Sequence, residues 1–165
     1  MSQPQPVIDG FEFASAGESL QGVWPIGDFP RLHDLLAAHD GKVAYEVDGV
    51  RDAQGRPGLR VRAQGTLQLR CQRCLEALAY EVHADELLLL AGTQAEIDAE
   101  PADVDGADRV LAGKEMPVRD LIEDELILAL PYAPRHEDCS ARASQDGAEK
   151  TLPFAGLRGL MRGKH

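Results

Sequence analysis

Three cysteines and one histidine constrain this chain more than any other residues. Cys71 and Cys74 form C-Q-R-C, and Cys139 closes H-E-D-C with His136, about sixty residues later. Together the two pairs offer three sulfurs and one imidazole nitrogen, the donor set of a closed tetrahedral zinc site. The spacing within each pair lets two side chains turn toward one ion from a tight bend. The long gap between the pairs means that a shared ion clips two distant segments together, a structural use of metal that leaves no coordination position for a substrate.

Two other uses of the same residues compete with this one. Free cysteines also serve as small buried hydrophobes, with His136 then in an ordinary core or solvent role. A redox C-x-x-C is the third reading, but it wants a helix N-terminus behind its first thiol. Gln72 and Arg73 instead sit between strand-like segments.

A length of 165 residues suits one domain with tails, and 44% hydrophobic residues suffice for a single core. The apolar run Leu87–Gly92 is far too short to span a bilayer. The first residues, Met-Ser-Gln-Pro-Gln-Pro, lack the basic start and apolar stretch of a secretory signal. A cytoplasmic location without membrane contact is therefore expected, where thiols and metal ligands are commoner than disulfides.

With 28 acidic and 17 basic residues the net charge is −11, which disfavours general binding to nucleic acid phosphates. Six carboxylates between Ala95 and Asp108, without a lysine or arginine, predict a flexible acidic loop over 94–108. The C-terminal stretch is opposite in character, carrying Arg158, Arg162 and Lys164.

Leu20–Trp24 reads as a short strand, and Asp28 as the N-cap of a helix with Pro30 in its first turn and Leu32, Leu35 and Leu36 on its apolar face. From Lys42 the period becomes two. Val43, Tyr45 and Val47 share one face, residues 52–58 supply a turn, and Leu59, Val61, Ala63, Leu67 and Leu69 resume the alternation. Cys71 is the next inward position. Leu78, Tyr80, Val82 and Ala84 return as another strand, so C-Q-R-C falls at a hairpin end.

Arg109–Leu111 predicts a further short strand, and Met116–Leu130 the strongest helix. Val118, Leu121, Ile122, Leu126 and Ala129 form its apolar stripe, with Asp120, Glu123 and Asp124 assigned to water. The run Glu123-Asp124-Glu125 reads as a solvated face rather than acid/base machinery, because sequence neighbours do not converge on a helix. Pro131 and Pro134 stop the helix and stiffen the approach to His136 and Cys139.

Residues 140–151 read as a polar linker. Beyond them Phe154, Leu157 and Met161 oppose Arg158 and Arg162 in a short amphipathic segment. That segment either folds back on the core or orders on a partner.

Three dispersed strings, Cys71-Gln72-Arg73-Cys74-Leu75, Glu123-Asp124-Glu125-Leu126-Ile127-Leu128-Ala129-Leu130-Pro131 followed by Ala133-Pro134-Arg135-His136, and Pro153-Phe154-Ala155-Gly156-Leu157, resemble the YceD family, the large ribosomal RNA subunit accumulation proteins. The resemblance implies a bacterial, non-enzymatic factor needed for normal accumulation of large-subunit ribosomal RNA. The expected partners are that RNA or a pre-ribosomal particle, and, given the acidic charge of the chain, a basic ribosomal protein.

The expected architecture is an α+β domain over 1–139: an antiparallel sheet from about Lys42 to Leu90, covered by the Asp28 and Met116 helices, with a linker and tail over 140–165. Expected partner contacts are Arg70, Arg73 and Arg135 around the cysteines, and Phe154, Leu157, Arg158, Met161 and Arg162 in the tail. Cys71, Cys74, His136 and Cys139 are the expected metal ligands, zinc the expected structural cofactor, and no catalytic residue is assigned. The rival reading is a metal- or thiol-dependent RNA-processing enzyme, using carboxylates or a pairing of His136 with Cys71 or Cys74.

Overall fold

The alternation that begins at Lys42 runs through three long strands. In the computed structural model, which describes residues 5–99 and 106–139, these are β4 (Lys42–Arg51), β5 (Pro57–Arg70) and β6 (Ala77–Ala91). All three are antiparallel, and β5 and β6 stay in register from Gly58↔Leu89 to Arg70↔Ala77. Val43, Val47, Leu59, Val61, Leu67, Leu69 and Val82 are fully buried on one face. Slipping the register by one residue would turn this whole set toward water, and each such side chain contributes roughly 1.5–3 kcal/mol by burial.

Shorter strands extend the sheet on both sides. β2 (Ser19–Pro25) pairs with β4, and β3 (Leu36–Ala38) pairs with β5 beyond the end of β4. On the far side β7 (Asp108–Leu111) runs parallel to β6. A separate two-stranded ribbon joins β1 (Val7–Ile8) to β8 (Met116–Pro117).

Helix α3 (Val118–Ala129) buries Val118, Ile122 and Leu126 against β5 and β6, as the apolar stripe predicts. Its first two expected residues, Met116 and Pro117, instead pair with β1. A second helix, α1 (Gly10–Ala16), has no counterpart among the sequence expectations. Asp9 caps it by accepting the Glu12 N–H, and Gly17 ends it in the left-handed conformation. It lies across β4 at Gly49, where any Cβ would collide with the Phe13 carbonyl oxygen.

Three expectations are corrected. The Asp28 helix is two 3-10 turns, Ile26–Asp28 and Pro30–Leu35, and Leu36 already belongs to β3. Ile26, Phe29 and Leu32 are all fully buried within seven residues, so the segment is bent to its core anchors and turned into β3 rather than extended as an α-helix. The acidic stretch is not loop throughout: Gln94–Ala99 forms helix α2, and Asp108 starts β7.

The acidic run on α3 is not a solvated face either. Asp124 is exposed, but Glu123 and Glu125 are buried. Glu123 Oε1 accepts the backbone N–H groups of Arg31 (2.6 Å) and Leu32 (3.2 Å), while Oε2 meets Arg31 Nε at 3.0 Å. The carboxylate thus takes the Arg31 N–H at the start of the second 3-10 turn and shares the Leu32 N–H with the Phe29 carbonyl oxygen (3.2 Å). The outcome is an α+β fold with a mostly antiparallel sheet, whose core joins α1, the 3-10 turns and α3.

Candidate metal centre

The inward alternation of β5 delivers Cys71 to its position: Leu67, Leu69 and Cys71 are successive buried residues. The connection to β6 is then closed by two backbone hydrogen bonds, Cys71 N–H to Glu76 O (3.0 Å) and Leu75 N–H to Cys71 O (2.9 Å). Leu75 takes the left-handed conformation, φ 65°, that a leucine ordinarily avoids. Its side chain is exposed, so the knuckle backbone and not packing holds it there. Arg73 N–H points at Cys71 Sγ, 3.5 Å away.

The second ligand pair arrives from the end of α3. Leu130 is extended, and the proline-stiffened segment brings the Pro134 carbonyl oxygen within 2.8 Å of Gln72 N. This bond docks the two segments beside the knuckle. His136 Nε2 lies 3.0 Å from the Ala77 carbonyl oxygen, which can only accept, so this nitrogen carries the proton and Nδ1 keeps its lone pair. Nδ1 faces Cys74 Sγ at 3.5 Å.

Cys71 Sγ and Cys139 Sγ are 3.6 Å apart, too far for a disulfide, and none of the three cysteines is disulfide-bonded. The four donor atoms of Cys71, Cys74, His136 and Cys139 lie within 4.8 Å of one another. A tetrahedral ion with metal–sulfur bonds of ~2.3 Å needs sulfurs ~3.8 Å apart. The donor set and spacing fit such an ion, and this cluster could hold one. The Ala77 carbonyl supplies the outer-shell partner that orients a ligating histidine.

Electrostatics divide the thiols. Backbone N–H groups of Cys74, Arg73 and His136 draw the Cys71 thiol down to about 5 despite its burial. Burial and the neighbouring Cys74 and Cys71 sulfurs push Cys139 up to about 11. One thiolate is thus stabilised by the fold, while collecting three in so small a volume calls for a cation.

Arg70, Arg73 and Arg135 are all exposed on the segments that carry the ligands. Glu76, Glu137 and Asp138 are exposed on the same segments, so the rim mixes both signs. Tyr132, fully exposed on the connection from α3, was not singled out by its sequence context. The outer-shell carbonyls of Ala77 and Pro134 carry no sequence signal, since every residue has one. The expected tail contacts Phe154, Leu157, Arg158, Met161 and Arg162 lie outside the described residues.

Residues 59–160 match the family described as large ribosomal RNA subunit accumulation protein YceD. The match begins in β5, includes all four candidate ligands and runs on through Phe154 and Leu157. No solved structure matches the chain. Among the described residues no helix is long and apolar enough to cross a membrane.

Proposed function

The chain belongs to the YceD family of large ribosomal RNA subunit accumulation proteins, and from that membership we propose that it is a cytoplasmic, non-enzymatic ribosome-biogenesis factor. It acts in the synthesis, processing or accumulation of large-subunit ribosomal RNA by binding that RNA, a pre-ribosomal particle or a basic ribosomal protein. Zinc held by Cys71, Cys74, His136 and Cys139 is structural and fixes the β5–β6 hairpin end to the segment after α3. The observation that supports a binding role over a catalytic one is this closed set of four protein ligands. A catalytic zinc site keeps a position for water or substrate.

The metal end is the proposed contact surface. Arg70, Arg73 and Arg135 offer phosphate or carboxylate contacts, and Tyr132 an aromatic face. A mixed-sign rim suits selective docking better than general phosphate binding.

Depletion of the protein should lower large-subunit RNA and particles, and re-expression should restore them. Tagged protein should recover large-subunit components from cells, and Arg73→Glu with Arg135→Glu should lose that recovery while keeping metal. The purified protein should leave precursor RNA intact. Cleavage abolished by His136→Ala or Glu123→Gln would instead establish the enzyme reading.

A further inference from the structure

A groove of about 330 Å³ lies between the β7–β8 connection and the outer side of α3. Leu111, Met116, Pro117 and Leu121 give it an apolar lining, and Leu111 is 54% exposed. Its charged lining residues are all acids: Glu115, Asp120 and Asp124. Asp124 already meets Arg31 at 2.6 Å, and Asp120 takes a weak 3.3 Å hydrogen bond from Gln5, so carboxylate capacity remains, above all on the exposed Glu115. An apolar floor with an anionic rim suits a short segment bearing apolar anchors beside cations.

We propose that this groove is the docking site, within the same molecule, for the chain's own residues 153–165. Phe154, Leu157 and Met161 supply the apolar anchors, and Arg158, Arg162 and Lys164 supply cations in a stretch without a carboxylate side chain. The signs are complementary: the charged residues lining the groove are acidic, with Asp124 shared with Arg31, and every charged side chain from Arg158 to Lys164 is basic. The family match spans residues 59–160, which takes in the groove and the first part of the segment, with Phe154, Leu157 and Arg158.

Reach also permits it. The groove lies along the first half of α3, and Cys139 lies past that helix's other end. Twelve helical residues span about 18 Å, while a chain as long as residues 140–152 can reach roughly 40 Å when fully extended. Tethering places the segment at an effective concentration on the order of millimolar, so modest intrinsic affinity suffices.

The test uses the full, zinc-loaded chain at low salt with isotope-labelled methyl groups. Nuclear Overhauser contacts should link the Phe154 ring to the methyls of Leu111 and Leu121. Asp120→Arg combined with Glu115→Arg should abolish them, and adding Arg158→Asp with Arg162→Asp should restore them. Phe154→Ser should shift the Leu111 and Leu121 methyls while leaving those of Leu59 and Leu67 unmoved. Contacts that vanish on dilution would assign the segment to a second copy and overturn the proposal. Absence of contacts to the groove, or contacts to the metal end instead, would also overturn it and leave the groove open to a basic partner. None of these readouts depends on the ribosomal role, so either reading can fail alone.

Discussion

His136 donates its Nε2–H to the carbonyl oxygen of Ala77, so a residue at the start of β6 decides which nitrogen of a histidine beyond α3 faces the cysteines. Protein prepared without chelator should therefore carry about one zinc per chain, measured by elemental analysis. Cobalt substitution should give the visible spectrum of a tetrahedral site with thiolate ligands. Reduced, gently prepared protein with metal near zero would remove the site.

Cys139→Ser should lose most of the zinc and lower the melting temperature, because the ion joins two segments distant in sequence. Chelation of the intact protein should lower it by a similar amount. A chelator-treated Cys139→Ser protein should show no further drop, a comparison made by calorimetry. An additional fall would place the stabilising metal elsewhere.

Glu123→Ala should cost about 1–3 kcal/mol, since it removes the acceptor of the Arg31 N–H and leaves the Leu32 N–H with the Phe29 carbonyl alone. Arg31→Ala should cost less, because its guanidinium is half exposed and the carboxylate keeps its backbone donors. Urea unfolding of the two variants checks the order. Equal losses would mean that the ion pair, and not the backbone capping, carries the effect.

Burial, reinforced by Glu86, Asp108 and Asp124, pushes the Glu125 carboxyl up from 4.5 to about 7. Its folded-state pKa is above its unfolded value, so folding binds a proton between the two. The associated stability is fully present below about pH 4.5 and is lost as pH rises through about 7. Glu125→Gln should therefore gain on the wild type by about 1 kcal/mol between pH 6 and pH 8. Zinc-saturated unfolding at both pH values measures it, and a constant difference would reject the shift.

Gly49→Ala should destabilise the fold by about 1–3 kcal/mol, because the added methyl meets the Phe13 carbonyl where α1 crosses β4. Gly27→Ala, whose Cβ meets nothing within 4 Å, is the control. Comparable losses in both would discount the steric contact.

The sheet was legible because one local rule covers it. Within the long strands the buried apolar side chains, Val43, Tyr45 and Val47 and then Leu59, Val61, Ala63, Leu67 and Leu69, follow a period of two, and the apolar stripe of α3 follows 3.6 just as directly. The same alternation placed Cys71 inward and C-Q-R-C at a hairpin end. The donor types and the spacing within each pair named the four candidate ligands without any knowledge of the fold.

What the sequence could not settle depends on groups distant along the chain. An acid run on a helix looks solvated until the 3-10 turn at Arg31 and Leu32 brings backbone N–H groups to Glu123. The Asp28 cap signal is outweighed by core anchors at Ile26, Phe29 and Leu32, since burial of three large side chains exceeds one cap. Residue types and short spacings are properties of the sequence itself. The meeting of Cys71 with Cys139, the tautomer of His136 and the burial of Glu123 exist only once strands and helix have packed, because long-range contacts fix all three.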